Sequence, residues 1–360
     1  MSAGSSLLGL AAGDCLGVAV EGWPAERIVE AFGVVTEPHS EHTRWSDDTQ
    51  QAIVLSECVV RHGWLDPMWI GDRLVEMRDE PGGSLHRGTG RGFRSSIDRY
   101  ADERDPARSG ATDRAGNGGA MRIAPAAVAI SARGIDDDEF TEQIIGATLI
   151  THREIRGIAG ALAAAWAARL IGGAGYPLED DVGRELLGEI VARTREGEAQ
   201  ADPRLEQTSE TDPWDIHAVS AALEIALASW PNGWDAMEKQ IARNASTAIG
   251  TRISAGEGFV LSSVVTAVAL SCRSSEPLAR TLSTVVGIGG DTDTTAAIVG
   301  GIAGAAAGID AVPTAWRQRI VAWGELERLA DALDATGEVG IASLPDFMAV
   351  ERAIGADAHR

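Results

Sequence analysis

The sequence predicts an all-α fold, organised as a single domain over residues 1–360. Three observations carry this. Apolar residues recur at helical spacing through stretches such as QQAIVLSECVV and the Ala-rich IAGALAAAWAARLI. The alternation that marks half-buried strands is short and rare. Glycines stand four apart at 9, 13 and 17, and again at 300, 304 and 308, which lines one helix face with hydrogen instead of side chain. No fixed-period repeat, heptad seam or low-complexity tract competes with this reading.

Residues 5–20 read as a helix in which Gly13 and Gly17 lower intrinsic propensity, so close approach of another backbone is the physical reason for them. Glu21-Gly22-Trp23-Pro24 ends it, because Pro24 disfavours helical geometry in the residue before it. After an irregular stretch, Ser46 is a suitable N-cap for a helix that stops at Gly63. Residues 64–78 form another helix. Residues 80–119, rich in Gly, Arg, Asp and Ser, read as a long loop with one short helix near 89–99, and loops of that size are usually functional.

Helical composition returns over 120–132 and 138–172, with His152 inside the second stretch. Residues 173–213 read as an exposed helix flanked by loops. Helices follow at 215–230 and 234–243, then a Gly-containing loop at 244–257 and a buried helix in FVLSSVVTAVALS. The chain turns at 273–278, and an apolar run ends in Gly289-Gly290. A Gly/Ala-rich helix begins after Asp291, and 313–335 and 344–354 read as two amphipathic helices.

Composition bounds the function. Fifty-three acidic residues against 31 basic ones give a net charge of −22, which argues against a nucleic-acid backbone as partner. Cys15, Cys58 and Cys272 are odd in number and widely spaced, as buried reduced thiols would be. The N-terminus lacks a basic n-region, and Asp14 interrupts its apolar run. No stretch approaches the ~20 uninterrupted apolar residues of a spanning helix. The expectation is a cytoplasmic protein without a membrane partner.

Two acidic clusters carry the candidate chemistry: RWSDDT at 44–49 and TVVGIGGDTDTT at 284–295. Each alone is an ordinary helix start, where Asp, Ser and Thr suit caps and first turns. An EF-hand fails, because its Gly and terminal Glu would fall at Ala296 and Ile302. Asp291, Asp293 and Thr295 match the DxDxT of haloacid dehalogenase-like phosphatases literally. That motif opens a doubly wound domain, and no strand–helix alternation follows here. The third reading is a site for a hard cation, which takes carboxylate and hydroxyl oxygens. Two carboxylates ~4 Å apart repel by about 4 kcal/mol at an effective dielectric of ~20, so converged clusters would call for divalent ions. Gly116-Asn117-Gly118-Gly119-Ala120-Met121 on its own is a weak anion-nest candidate beside the reading as a plain turn. His152 alone fits a core histidine.

The ordered set GLAAGDCLGVAVE, WSDDT, GNGGAMR, THREIRGIAGALAAA and GIGGDTDTTAAIVGGIAGA resembles the ADP-ribosylglycohydrolase family from about residue 5 to residue 310. The resemblance implies a compact orthogonal helical bundle with a binuclear Mg²⁺ (or Mn²⁺) centre in a cleft. It makes Ser46, Asp47, Asp48, Asp291, Asp293 and Thr294 metal ligands, and Glu21 and Asp293 catalytic. Gly116, Asn117, Gly118, Gly119, Ala120, Met121 and His152 become substrate-binding, with Gly289 and Gly290 letting backbone approach the substrate. Arg153-Glu154 and Ile155 depart from the commoner family form beside His152. The implied activity is hydrolysis of the bond between ADP-ribose and a protein side chain, arginine first and serine second. Alternatives are hydrolysis of a free ADP-ribosyl metabolite such as O-acetyl-ADP-ribose, or a non-catalytic ADP-ribose binder.

Overall fold

A computed structural model describes residues 1–113, 115–205, 216–335 and 344–357. These residues form seventeen α-helices and one two-stranded sheet, so the chain is all-α. The first half comprises α1 (Ala3–Gly17), α2 (Ala25–Phe32), α3 (Asp47–His62), α4 (Pro67–Arg78), α5 (Arg91–Glu103), α6 (Ala124–Ser131), α7 (Asp137–Leu149) and α8 (Ile155–Ala174). The second half comprises α9 (Asp180–Ala201), α10 (Ala218–Ala228), α11 (Trp234–Ile249), α12 (Val260–Arg273), α13 (Leu278–Val286) and α14 (Thr292–Ala307). Three short helices close it: α15 (Thr314–Arg319), α16 (Trp323–Asp334) and α17 (Phe347–Asp357).

The core is built on α1 against α14. Every residue of α1 is buried, as is α14 from Thr292 to Ala305. The glycines make this possible. An added Cβ at Gly9 would sit 2.3 Å from the Gly300 carbonyl oxygen, and one at Gly13 would sit 2.1 Å from that of Ala296. At Gly300 it would meet the Gly9 carbonyl at 2.1 Å. Gly308, the last of the second series, does something else: it caps α14 at φ +78, with open space where a Cβ would lie. α3, α6, α8, α12, α13 and α16 pack around the central pair, and the buried apolar residues form one cluster from Ala3 to Ile354.

This packing predicts a stability contrast. Gly13→Ala is expected to cost roughly 3 kcal/mol or more, since two backbones must part. Gly173→Ala, in α8 with open space at its Cβ, is expected to be neutral or to stabilise by a few tenths of a kcal/mol. Urea unfolding of both variants measures the difference.

The helix pattern departs from the local periodicity in several places, and at Thr151 to Arg153 and at Ile320 the reason is pairing with a distant segment. Ala25–Phe32 is a helix that Pro24 starts rather than an irregular stretch, anchored by Ile28 at 0% exposure. The 138–172 stretch is two helices, because Thr151 to Arg153 leave the helix to pair with Ala111, whose N–H donates to the Thr151 carbonyl at 3.0 Å. Glu154 then starts α8 by accepting from the N–H groups of Arg156 and Gly157. The apolar run before Gly289 is the helix α13. The 313–335 stretch breaks at Ile320, where the Thr43 N–H donates to the Arg319 carbonyl and the Val321 N–H donates to the Thr43 carbonyl. Helix α11 outruns its expected end, reaching Ile249. Residues 206–213 of the expected exposed segment lie outside the described residues.

Ala3–Val20 and Ile155–Ala174 reach the length and mean hydropathy of a spanning helix, although Asp14 interrupts the first and Arg156 and Arg169 the second. They are 83% and 78% buried inside the protein, against neighbouring helices. The sheet is small: Trp23–Pro24 (β1) pairs antiparallel with Gly289–Gly290 (β2). Among the described residues no parallel sheet precedes DTDTT, which removes the phosphatase reading.

Candidate active site

The first half of the site is built on Asp14, buried in the last turn of α1. A carboxylate so placed must be hydrogen-bonded. Its oxygens accept from the Ser46 N–H at 3.0 Å, the Thr49 N–H at 3.1 Å and the Thr49 hydroxyl at 2.6 Å. Asp14 therefore pins the N-terminus of α3 to the core. Ser46 caps that helix, accepting from the Asp48 N–H at 3.2 Å while its hydroxyl donates to Asp48 Oδ2 at 2.8 Å. Asp47 and Asp48 open the first turn beside it.

The second half opens α14. Thr295 turns its hydroxyl back to the Asp291 carbonyl at 2.6 Å, while Thr294 donates to Asp48 Oδ2 at 3.3 Å. This last bond joins residues 246 positions apart, so the two acidic clusters meet. Glu21, Asp291 and Asp293 each bring a carboxylate oxygen within 4.8 Å of the others. Asn117 ties in a third segment: its amide donates to Asp291 Oδ2 at 2.7 Å and to Ser263 Oγ on α12 at 3.1 Å.

Glu21, Ser46, Asp47, Asp48, Asp291, Asp293 and Thr294 all line one cavity of about 330 Å³. Its other wall holds Gly116, Asn117, Gly118, Met121 and His152. Gly119 and Ala120 stand behind that wall, Gly119 against Thr148 and Ala161. Gly289 and Gly290 also lie behind the lining. Both are buried at positive φ, and an added Cβ on Gly290 would meet the Gly256 carbonyl at 2.6 Å. The backbone they approach is that of the Glu21 turn and of Gly256, since the Gly22 N–H donates to the Gly290 carbonyl at 2.7 Å. They hold Glu21 over the acidic cluster. A larger cavity of about 800 Å³ shares Arg91, Gly92 and Ala111 with this one but has none of the clustered Asp residues, so the chemistry belongs to the smaller.

Sequence reasoning did not single out Gly88, Gly90, Arg91 and Gly92, which also line the cleft. Their signal was present: glycines at alternate positions across a helix start. Gly90 caps α5 without a side-chain hydrogen bond, which leaves first-turn amides for an anion. Gly88 gives room to Asp47, whose Oδ1 would lie 2.8 Å from a Cβ there.

Electrostatics and bonding describe a site made for a cation. Burial raises the Asp14, Asp48 and Asp293 carboxyls, and the neighbouring Asp residues add to the rise in Asp48 and Asp293. Asp47 is pushed up to about 7 by burial and then by Asp14. Glu21 is raised by burial, then by Asp291 and Asp14. Asp48 Oδ1 and Asp293 Oδ1 are buried with no hydrogen-bond partner. Such acceptors are costly unless a ligand satisfies them. Carboxylate and hydroxyl oxygens are the donor set of a hard divalent ion, so the residues fit one.

Three comparisons agree with this geometry. Residues 3–341 match the family model of the ADP-ribosylglycohydrolases. The chain is 28% identical over 356 residues to ADP-ribosylhydrolase ARH3 of Homo sapiens, covering 91% of each protein. It is 28% identical over 352 residues to ADP-ribosylhydrolase ARH3 of Danio rerio, covering 91% of this chain and 88% of the other. A solved structure described as an ADP-ribosylglycohydrolase-related protein complex superposes with a TM-score of 0.62 at 25% identity, over 92% of this chain and 96% of that one. With the acidic cluster and its cleft in place along the matched span, this chain belongs to the ADP-ribosylglycohydrolase family.

Proposed function

We propose that the protein hydrolyses the glycosidic bond between ADP-ribose and a protein side chain, arginine first and serine second, reversing mono-ADP-ribosylation. The observation that carries this reading is the convergence of two acidic helix starts on one cleft, with Asp48 Oδ1 and Asp293 Oδ1 unpartnered. Ser46, Asp47, Asp48, Asp291, Asp293 and Thr294 would hold two divalent cations, Mg²⁺ or Mn²⁺. Such ions supply positive charge to grip neighbouring ribose hydroxyls and to make a water oxygen a better nucleophile.

The chain's own residues account for the rest. The first-turn amides of α5 and the backbone at Gly116–Gly118 suit the diphosphate. As the leaving group departs, charge grows on the ribose ring, and the surrounding carboxylates stabilise it. Glu21 is the proton carrier: it is the exposed member of the cluster, and its raised affinity lets it hold a proton and pass it on. Three buried free thiols support placement in a reducing cytoplasm.

A panel of arginine-, serine- and acetyl-linked ADP-ribose with added Mg²⁺ or Mn²⁺ tests the proposal. Arginine-linked substrate is expected to release ADP-ribose fastest. Release from the acetyl ester alone would transfer the activity to a free metabolite, and release from none, with ADP-ribose still bound by calorimetry, would leave a binder. Glu21→Gln is expected to lower kcat by about 100- to 1,000-fold with KM little changed. Unchanged linear rates would remove Glu21 from the chemistry.

A further inference from the structure

A chain of buried side chains runs from the acidic cluster to His152 on the opposite wall. At its centre is Arg122, 1% exposed, with Gln51 and Thr151 equally buried. A guanidinium can only donate, and this fixes the direction of every bond beside it. One nitrogen donates to Gln51 Oε1 at 2.5 Å, which turns the Gln51 amide nitrogen toward Asp47 Oδ2 at 3.0 Å. The other donates to Thr151 Oγ1 at 2.6 Å, with the Ala147 carbonyl at 3.5 Å.

Thr151 Oγ1 in turn stands 2.9 Å from His152 Nδ1. Because Thr151 accepts from Arg122, its own proton is available to Nδ1. A proton on Nδ1 instead would leave the Thr151 hydroxyl with no acceptor among the described hydrogen bonds. The ring hydrogen therefore sits on Nε2, which faces the cleft 3.2 Å from where a Gly118 Cβ would lie. Burial, and then the Arg122 charge, hold the imidazole neutral by lowering it to about 3.

We propose that Arg122 is a positioning residue with two outputs: through Gln51 it aims Asp47, and through Thr151 it sets His152 as the Nε2–H tautomer, so that His152 offers a donor to an acceptor oxygen of the substrate. Naming Asp47 a metal ligand and the oxygen one of ADP-ribose rests on the function proposed above. The hydrogen-bond directions do not.

Ring-carbon and ring-nitrogen NMR of the labelled full chain reads the tautomer, with His152→Gln assigning the signal among the seven histidines. The expected result is a neutral Nε2–H pattern in the wild type. Thr151→Val should turn it into a mixture and raise KM for an ADP-ribosyl substrate about 10-fold, and Thr151→Ser should restore both. Gln51→Leu should weaken Mn²⁺ binding, measured by electron paramagnetic resonance, about 10-fold while leaving the tautomer intact. Arg122→Lys, which keeps the charge but cannot reach both acceptors in one plane, should disturb both readouts.

A wild-type Nδ1–H pattern, or a pattern unchanged by Thr151→Val, overturns the proposal even if Arg122→Lys fails to fold. The expected tautomer in a protein that cleaves no ADP-ribosyl bond would sink the function and leave the network standing.

Discussion

Asp293→Ala is expected to lower kcat against an ADP-ribosylated substrate by about 1,000-fold or more and, in the same protein without metal, to raise the melting temperature. The first effect follows from losing an oxygen ligand at the centre of transition-state charge stabilisation. The second follows from the cluster itself. Asp293 is 4% exposed, its Oδ1 has no partner, and burial first, then the Asp48 and Asp291 charges, raise its carboxyl. Removing it relieves the cost of burying an unpartnered carboxyl, on the order of 1–3 kcal/mol. Asp48→Ala should lose as much activity with a smaller stability gain, because Ser46 and Thr294 already hydrogen-bond its Oδ2. Linear-rate assays and thermal melts under chelator measure both. Full activity in the two variants would end the metal reading, whereas a joint loss of activity and stability would point to a structural carboxylate.

Chelation should abolish turnover and also reverse the usual pH dependence of stability around the site. The folded protein holds protons on Asp14, Asp47, Asp48 and Asp293 more tightly than the unfolded chain, whose Asp residues titrate at about 3.9. The unfolded state thus releases these protons near pH 4, and Asp47 in the folded state only near pH 7. Between those values the folded state binds more protons, so the stability of chelated protein falls as pH rises from about 4 to about 7. Excess Mg²⁺ or Mn²⁺ replaces the protons, so its stabilisation grows over the same range, reaching about 2.7 kcal/mol at 100 times its dissociation constant. Melting curves between about pH 5 and about pH 8, with chelator or with cation, give the answer. A chelated protein whose melting temperature rises with pH at the acid end would contradict the raised carboxyls.

The sequence made much of the site legible because its signals are local. Ser46-Asp47-Asp48 and Asp291 to Thr294 are recognisable as helix starts with an excess of hard oxygen donors. Their presence together, in order with GDCLG and GNGGAMR, carries the family resemblance. Gly9, Gly13 and Gly300 declared a backbone contact, and α1 against α14 makes it. Asp14 and Arg122 were less legible. A charge inside an apolar stretch must have a partner, but the rule does not say which one.

What the sequence determined by itself was the helical class, the ligand chemistry and the glycine faces, since each depends on residue type and a spacing of a few positions. The tertiary structure alone decided that Thr294 meets Asp48, that the helix breaks at His152 to pair with Ala111, and that Gly289-Gly290 serves the Glu21 turn rather than the cavity lining. The physical reason is the range of the interactions. Periodicity and capping act within one or two turns. The site is closed by single hydrogen bonds between distant segments, Thr294 to Asp48 and Asn117 to Asp291, whose geometry exists only after α1 and α14 have packed backbone to backbone.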